Sequence, residues 1–131
     1  MPKIPIAALV AALLLASAAV SAQAPAQTAS QFYLEYRKAF DAAKRVEDLL
    51  PFLSAETRAR IEATPAAERP RMFDVIKTMG ALTRLKVLSE APMSQGVTLT
   101  VDALDPTGEN TTGTIEIVRE DGAWKLRKES W

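Results

Sequence analysis

The chain has 131 residues, with 16 basic and 16 acidic side chains and neither Cys nor His. Without Cys there is no disulfide, no thiol chemistry and no lipidated cysteine. Without His the commonest general base at neutral pH is missing, along with Ser-His and Cys-His nucleophile pairs and the usual zinc sites. The balanced charge offers no basic field for nucleic acid.

The chain opens as an export signal. Lys3 is a short positive head, Ile6 to Val20 is apolar except for Ser17, and Val20-Ser21-Ala22 places small residues at −3 and −1. Cleavage is expected after Ala22, with Ala24 and Ala18 as alternatives, which predicts a bacterial periplasmic or secreted protein. The apolar run is shorter than the ~20 residues of a spanning helix, so no membrane anchor is expected after cleavage. Residues 23–30 read as a polar linker and 31–131 as one domain. The roughly 109 mature residues suffice for one core.

Thr28 with Gln31 fits a capping box, Ser30 competes as N-cap, and a helix is predicted over about 29–45. Phe32, Tyr36, Ala39, Phe40, Ala43 and Val46 recur on one face, with Glu35, Arg37, Lys38, Asp41 and Lys44 on the rest. Pro51 confines 46–50 to a short helical turn. Ser54 caps a second helix at 55–63. Thr64-Pro65 restarts the chain, and 70–79 is predicted as the main helix, with Met72, Phe73, Ile76 and Met79 inward and Gly80 closing it.

From residue 81 the period becomes two. Residues 82–90 are predicted as a strand with Leu85 and Val87 on one face and Arg84, Lys86 and Leu88 on the other. Pro92 to Gly96 is a turn. Residues 97–104 alternate with Val97, Leu99, Val101 and Ala103 inward. Asp105-Pro-Thr-Gly108 turns the chain again. The run Thr112–Trp131 reads as a hairpin about Asp121-Gly122, both residues tolerating positive φ. Its register sets Arg119 opposite Trp124, Ile117 opposite Leu126 and Glu116 opposite Arg127. One face then carries Ile115, Ile117, Arg119, Trp124 and Leu126. Lys125, Arg127, Lys128 and Glu129 read as a solvated surface. Helices followed by a meander predict an α+β fold, N-terminal helices on a curved four-stranded antiparallel sheet.

At this level the chain resembles the nuclear-transport-factor-two-like superfamily, the cystatin-like or ketosteroid-isomerase-like cone. The aromatic first helix (Phe32-Tyr33-Leu34-Glu35-Tyr36, Ala39-Phe40), residues 46–58 and the ending Val118-Arg-Glu-Asp-Gly-Ala-Trp-Lys-Leu126 carry the resemblance. It is most similar to small secreted bacterial members of unassigned function. The resemblance implies a curved sheet around helices, often with an apolar pocket. Such folds host isomerases, dehydratases, accessory subunits and interaction domains, so fold does not settle function.

Three roles remain open. The first is a non-catalytic binding or interaction domain holding a small apolar molecule or a protein partner. Its expected lining is Tyr36, Phe40, Phe73, Ile76, Arg119 and Trp124, with core packing as the competing reading of the aromatics and an Arg119–Trp124 stack as that of the pair. The second is an isomerase- or dehydratase-like enzyme, which needs a carboxylate and a Tyr. Tyr33, Tyr36, Asp41, Asp74 and Asp102 are of the right type, but Asp41 and Asp74 fall among solvated charges, Asp102 shares the polar face of its strand with Thr98 and Thr100, and no catalytic role is assigned. The third is a homodimer or accessory domain pairing through the sheet. No cofactor or metal is called for.

Overall fold

Thr28 starts the first helix with the reciprocal pair that its sequence predicts. Its hydroxyl accepts from the Gln31 N–H at 3.1 Å, and the Gln31 side chain accepts from the Thr28 N–H at 2.9 Å. The computed structural model describes residues 26–131. The expected export signal, its predicted cleavage site and the start of the predicted linker lie outside them. Helix α1 spans Ala29–Ala42, ending before the predicted residue 45 because Ala43 turns extended. A 3-10 helix follows over Val46–Phe52, with Pro51 inside it and the Asp48 carboxylate accepting from the Lys44 and Arg45 N–H groups. Ser54 caps α2, Ala55–Glu62, and α3 runs Arg69–Met79 with Pro70 in its first turn. Among the described residues no helix is long and apolar enough to cross a membrane.

Four strands then form an antiparallel meander in the order β1-β2-β3-β4: β1 Thr83–Met93, β2 Gly96–Leu104, β3 Asn110–Glu120 and β4 Ala123–Ser130. The first turn is tighter than predicted. Met93 pairs with Gly96, leaving only Ser94-Gln95 outside the ladder. Pro92 is therefore in a strand, which is tolerated because β1 lies at the sheet edge. Asp121 and Gly122 take φ of 51° and 78°, and the last hairpin has the predicted pairs Arg119–Trp124 and Ile117–Leu126.

Past Leu126 the register departs from the prediction. Glu116 pairs with Lys128, so Arg127 is an extra residue on β4, although its Nε still meets Glu116 Oε2 at 3.2 Å. That bulge inverts the facing of the residues after it. Glu129 pairs with Ile115 and shares the inner face, instead of lying on the solvated surface predicted for it. Strand β1 repeats the device: an irregularity between Val87 and Ser89 brings Glu90 opposite Leu99, again inward.

The inner face carries Leu99, Val101, Ile115, Ile117 and Leu126, packed against Phe32, Tyr33, Tyr36 and Phe40 of α1. The sheet curls about this helix. At its start, Glu90 of β1 takes the Ser30 N–H and hydroxyl, while Trp124 of β4 donates Nε1–H to the Gln27 carbonyl at 2.8 Å. Both sheet edges thus reach one end of one helix. The β4 edge is closed by Leu53, which bridges to Leu126, and by the Ser54 N–H donating to the Leu126 carbonyl at 2.8 Å. The outer face is polar. Ser89, Thr100, Thr114 and Ser130 pair in turn, making one hydroxyl row across all four strands.

Gly96 sits where β2 leaves the first turn, and a Cβ there would lie 2.0 Å from the Ile117 carbonyl oxygen and 2.8 Å from Val118 Cα. Both are backbone atoms, so β2 and β3 must separate locally to admit it. Gly96→Ala is expected to cost about 1–3 kcal/mol, as overpacking does. Urea unfolding would show this as a lower midpoint at unchanged slope.

Candidate functional site

Two groups of side chains stand out, one inside the cone and one at its rim. The interior group follows from helix spacing: Tyr33, Tyr36, Arg37 and Phe40 fall on the turns of α1 that face the sheet. Arg37 was expected on the solvated side. It is instead 4 % exposed, and it pairs with Glu129, whose Oε2 lies 3.6 Å from Nη1. Nη2 donates to the Gly80 carbonyl at 2.6 Å, and the guanidinium lies 4.4 Å from the Phe40 ring centroid. The same Glu129 oxygen accepts from the Tyr33 hydroxyl at 2.7 Å and from Trp131 Nε1–H at 3.3 Å. Trp131 lies over Gly113, close enough that a Cβ there would meet its ring at 2.5 Å.

This is a carboxylate facing the inside of the cone, the feature an isomerase-like reaction requires. Its chemistry here is different. Two donors and one ion pair converge on one carboxylate oxygen: Tyr33 and Arg37 hold α1 against β4, and Trp131 ties down the chain just past β4. Burial raises the Tyr33 and Tyr36 phenols far above their ordinary range, and the Glu129 charge pushes them further the same way. They remain neutral donors at any physiological pH. Sequence reasoning missed Glu129 because its inward facing depends on the Arg127 bulge.

The residues expected to line a ligand cavity separate into three places. Tyr36, Phe40 and Phe73 are buried in the core, where Tyr36 meets Tyr33, Phe40 and Phe52 at centroid distances of 6.0–6.2 Å. Aromatic rings therefore fill the centre of the cone. Ile76 lines a groove of about 540 Å³ beside α3 with Met72 and Val75. Arg119 and Trp124 stay together at the rim, the Arg119 guanidinium 4.1 Å from the indole centroid. Asp41 and Asp74 lie exposed, and Asp102 accepts from the Thr112 hydroxyl on the outer face.

At the rim the Arg119–Trp124 pair divides two clefts. One, of about 360 Å³, is bounded by Gln27, Phe32, Glu35, Pro51, Phe52 and Lys125. The other, of about 660 Å³, is bounded by Ser94, Gln95 and Gly96. Several contacts fix this geometry. The indole N–H is held by Gln27, the Arg119 N–H donates to the Gln95 carbonyl at 3.0 Å, and Lys125 Nζ donates to the Pro51 carbonyl at 2.7 Å. Among the described residues no cluster of three or more acidic, His or Cys side chains is placed to hold a metal.

In element order, and in the closing of the sheet on α1, the fold is the α+β arrangement predicted, helices packed on a curved four-stranded antiparallel sheet. No family model matches the chain, and no curated protein matches it. Among solved structures, a Campylobacter jejuni protein described as an NTF2-like transpeptidase is similar, with a TM-score of 0.47 and 12 % identity. The similarity covers 76 % of this chain and 96 % of that one.

The buried tyrosines give a pH prediction with a definite sign. They are the chain's two tyrosines. In the unfolded chain each ionises near pH 10, whereas in the folded chain each keeps its proton to higher pH. Their contribution to stability is thus complete below about pH 10 and lost as pH rises beyond it. The slope should approach about 2.7 kcal/mol per pH unit for the two together. Tyrosinate absorbance should appear only with unfolding, and Tyr33→Phe should lessen the slope. Glu129→Ala leaves Arg37 buried and unpaired and should cost about 3 kcal/mol in denaturant unfolding, more than Glu129→Gln.

Proposed function

We propose that the chain is a non-catalytic binding domain, exported from a bacterial cytoplasm, that takes a small ligand at the rim of the cone. The observation that carries this reading is the Arg119–Trp124 stack between two clefts. An exposed guanidinium held over an indole is an ordered cation beside apolar surface, with little conformational freedom left to lose on binding. Phe32, Phe52 and Pro51 supply the apolar wall, and about 360 Å³ lies in the range of small-molecule sites. The centre of the cone is occupied by the protein's own rings, so the apolar molecule expected from the sequence is assigned to the rim.

Native mass spectrometry of the protein purified gently from its host is the direct test. A discrete extra mass that Arg119→Ala removes supports the reading. A bare mass from the wild-type protein, with no rise in its melting temperature on adding the small-molecule fraction of host extract, speaks against it. Arg119 is exposed, so the variant should keep the wild-type melting temperature to within a few degrees. Export has its own readout: N-terminal sequencing of the protein from a periplasmic fraction should begin at Gln23.

A further inference from the structure

The smaller rim cleft holds two charges of opposite sign that do not neutralise each other. Glu35 projects from α1 and Arg119 from β3, and both border this cleft. Among the described residues neither makes an ion pair or a side-chain hydrogen bond. The ion pairs run Arg37–Glu129, Arg45–Asp48, Arg69–Glu47 and Arg127–Glu116. The other cation in the cleft, Lys125, is committed to the Pro51 carbonyl. The Trp124 N–H is likewise committed, to Gln27. What the cleft offers a visitor is therefore one carboxylate, one guanidinium with its donor edge free, and a wall of Phe32, Phe52 and Pro51 beside the Arg119–Trp124 stack.

That set has a complement. A carboxylate with no partner repels a simple anion, and a free guanidinium repels a simple amine. A molecule carrying both an ammonium and a carboxylate satisfies both charges at once, and an apolar body between them covers the aromatic wall. We infer that the ligand is a zwitterionic apolar peptide of about two residues. Its free amino end faces Glu35, its carboxylate accepts the fork of N–H groups from Arg119, and its side chains lie on Phe32, Pro51 and Phe52. This rests on the rim being the binding site and adds the class of ligand that it takes.

The test is calorimetric titration of the purified protein with three probes: leucyl-leucine, N-acetyl-leucyl-leucine and leucyl-leucinamide. Each is run against wild type, Glu35→Gln and Arg119→Gln. Both residues are exposed, and unchanged melting temperatures would certify the folds. Leucyl-leucine should bind best. Each charge contact at this partly exposed site should be worth about fivefold in affinity. Acetylation should lower affinity by that factor in wild type and have no further effect in Glu35→Gln. Amidation should do the same with respect to Arg119→Gln. Equal binding of all three probes, with fluorescence responding in Trp131→Phe, where Trp124 is the one tryptophan, would overturn the zwitterion and leave the rim site standing. Absence of binding by all three would also overturn it, and the native mass measurement would then judge the rim separately.

Discussion

Arg37 enters the interior of the cone with its charge, and a buried guanidinium costs several kcal/mol unless it is paired and hydrogen-bonded. Glu129 supplies the countercharge, the Gly80 carbonyl takes one edge of the guanidinium, and the Phe40 ring lies against its face. Tyr33 and Trp131 complete the shell of the same carboxylate oxygen. The arrangement joins α1, the end of α3 and the last strand at a single point. Removing either charge strands the other, which makes this pair the constraint on which the closure of the cone depends.

Closure is achieved twice in the same way. Each edge strand carries an irregularity, at Arg127 on β4 and at Leu88 on β1, and each turns a glutamate inward onto α1. Glu129 meets the middle of the helix, while Glu90 meets its first turn, where free N–H groups and the positive end of the dipole favour an anion. Bulges of this sort also sharpen strand bending. These two insertions fasten the sheet to the helix that it encloses, and with a further irregularity of β1 between Thr83 and Lys86 they bend it.

The rim inherits its order from that closure. Trp124 lies on the inner face only two pairs before the β4 bulge, and its N–H is tied to the residue before the α1 cap. Arg119 stacks on it from the neighbouring strand. Glu35, on the second turn of α1, is brought to the same cleft because the sheet wraps that helix. The charges at the rim therefore sit on regular elements, where positions are held more tightly than on loops.

The sequence by itself determined the elements and most of their facing. The capping box at Thr28 and Gln31, the cap at Ser54, the alternation of Leu99, Val101 and Ala103, and the turn at Asp121-Gly122 are local chemistry, legible over a few residues. So was the Arg119–Trp124 contact, which follows from a two-residue turn. Tertiary structure alone decided the rest. Glu129 and Arg127 lie in a run of charges with no pattern of their own, and one extra residue in the ladder reverses which of them faces the core. Arg37 looks like a surface residue until a carboxylate 92 positions away is turned toward it. Glu35 belongs to the rim only because the two sheet edges close on one helix, a long-range fact that no short stretch of chain contains.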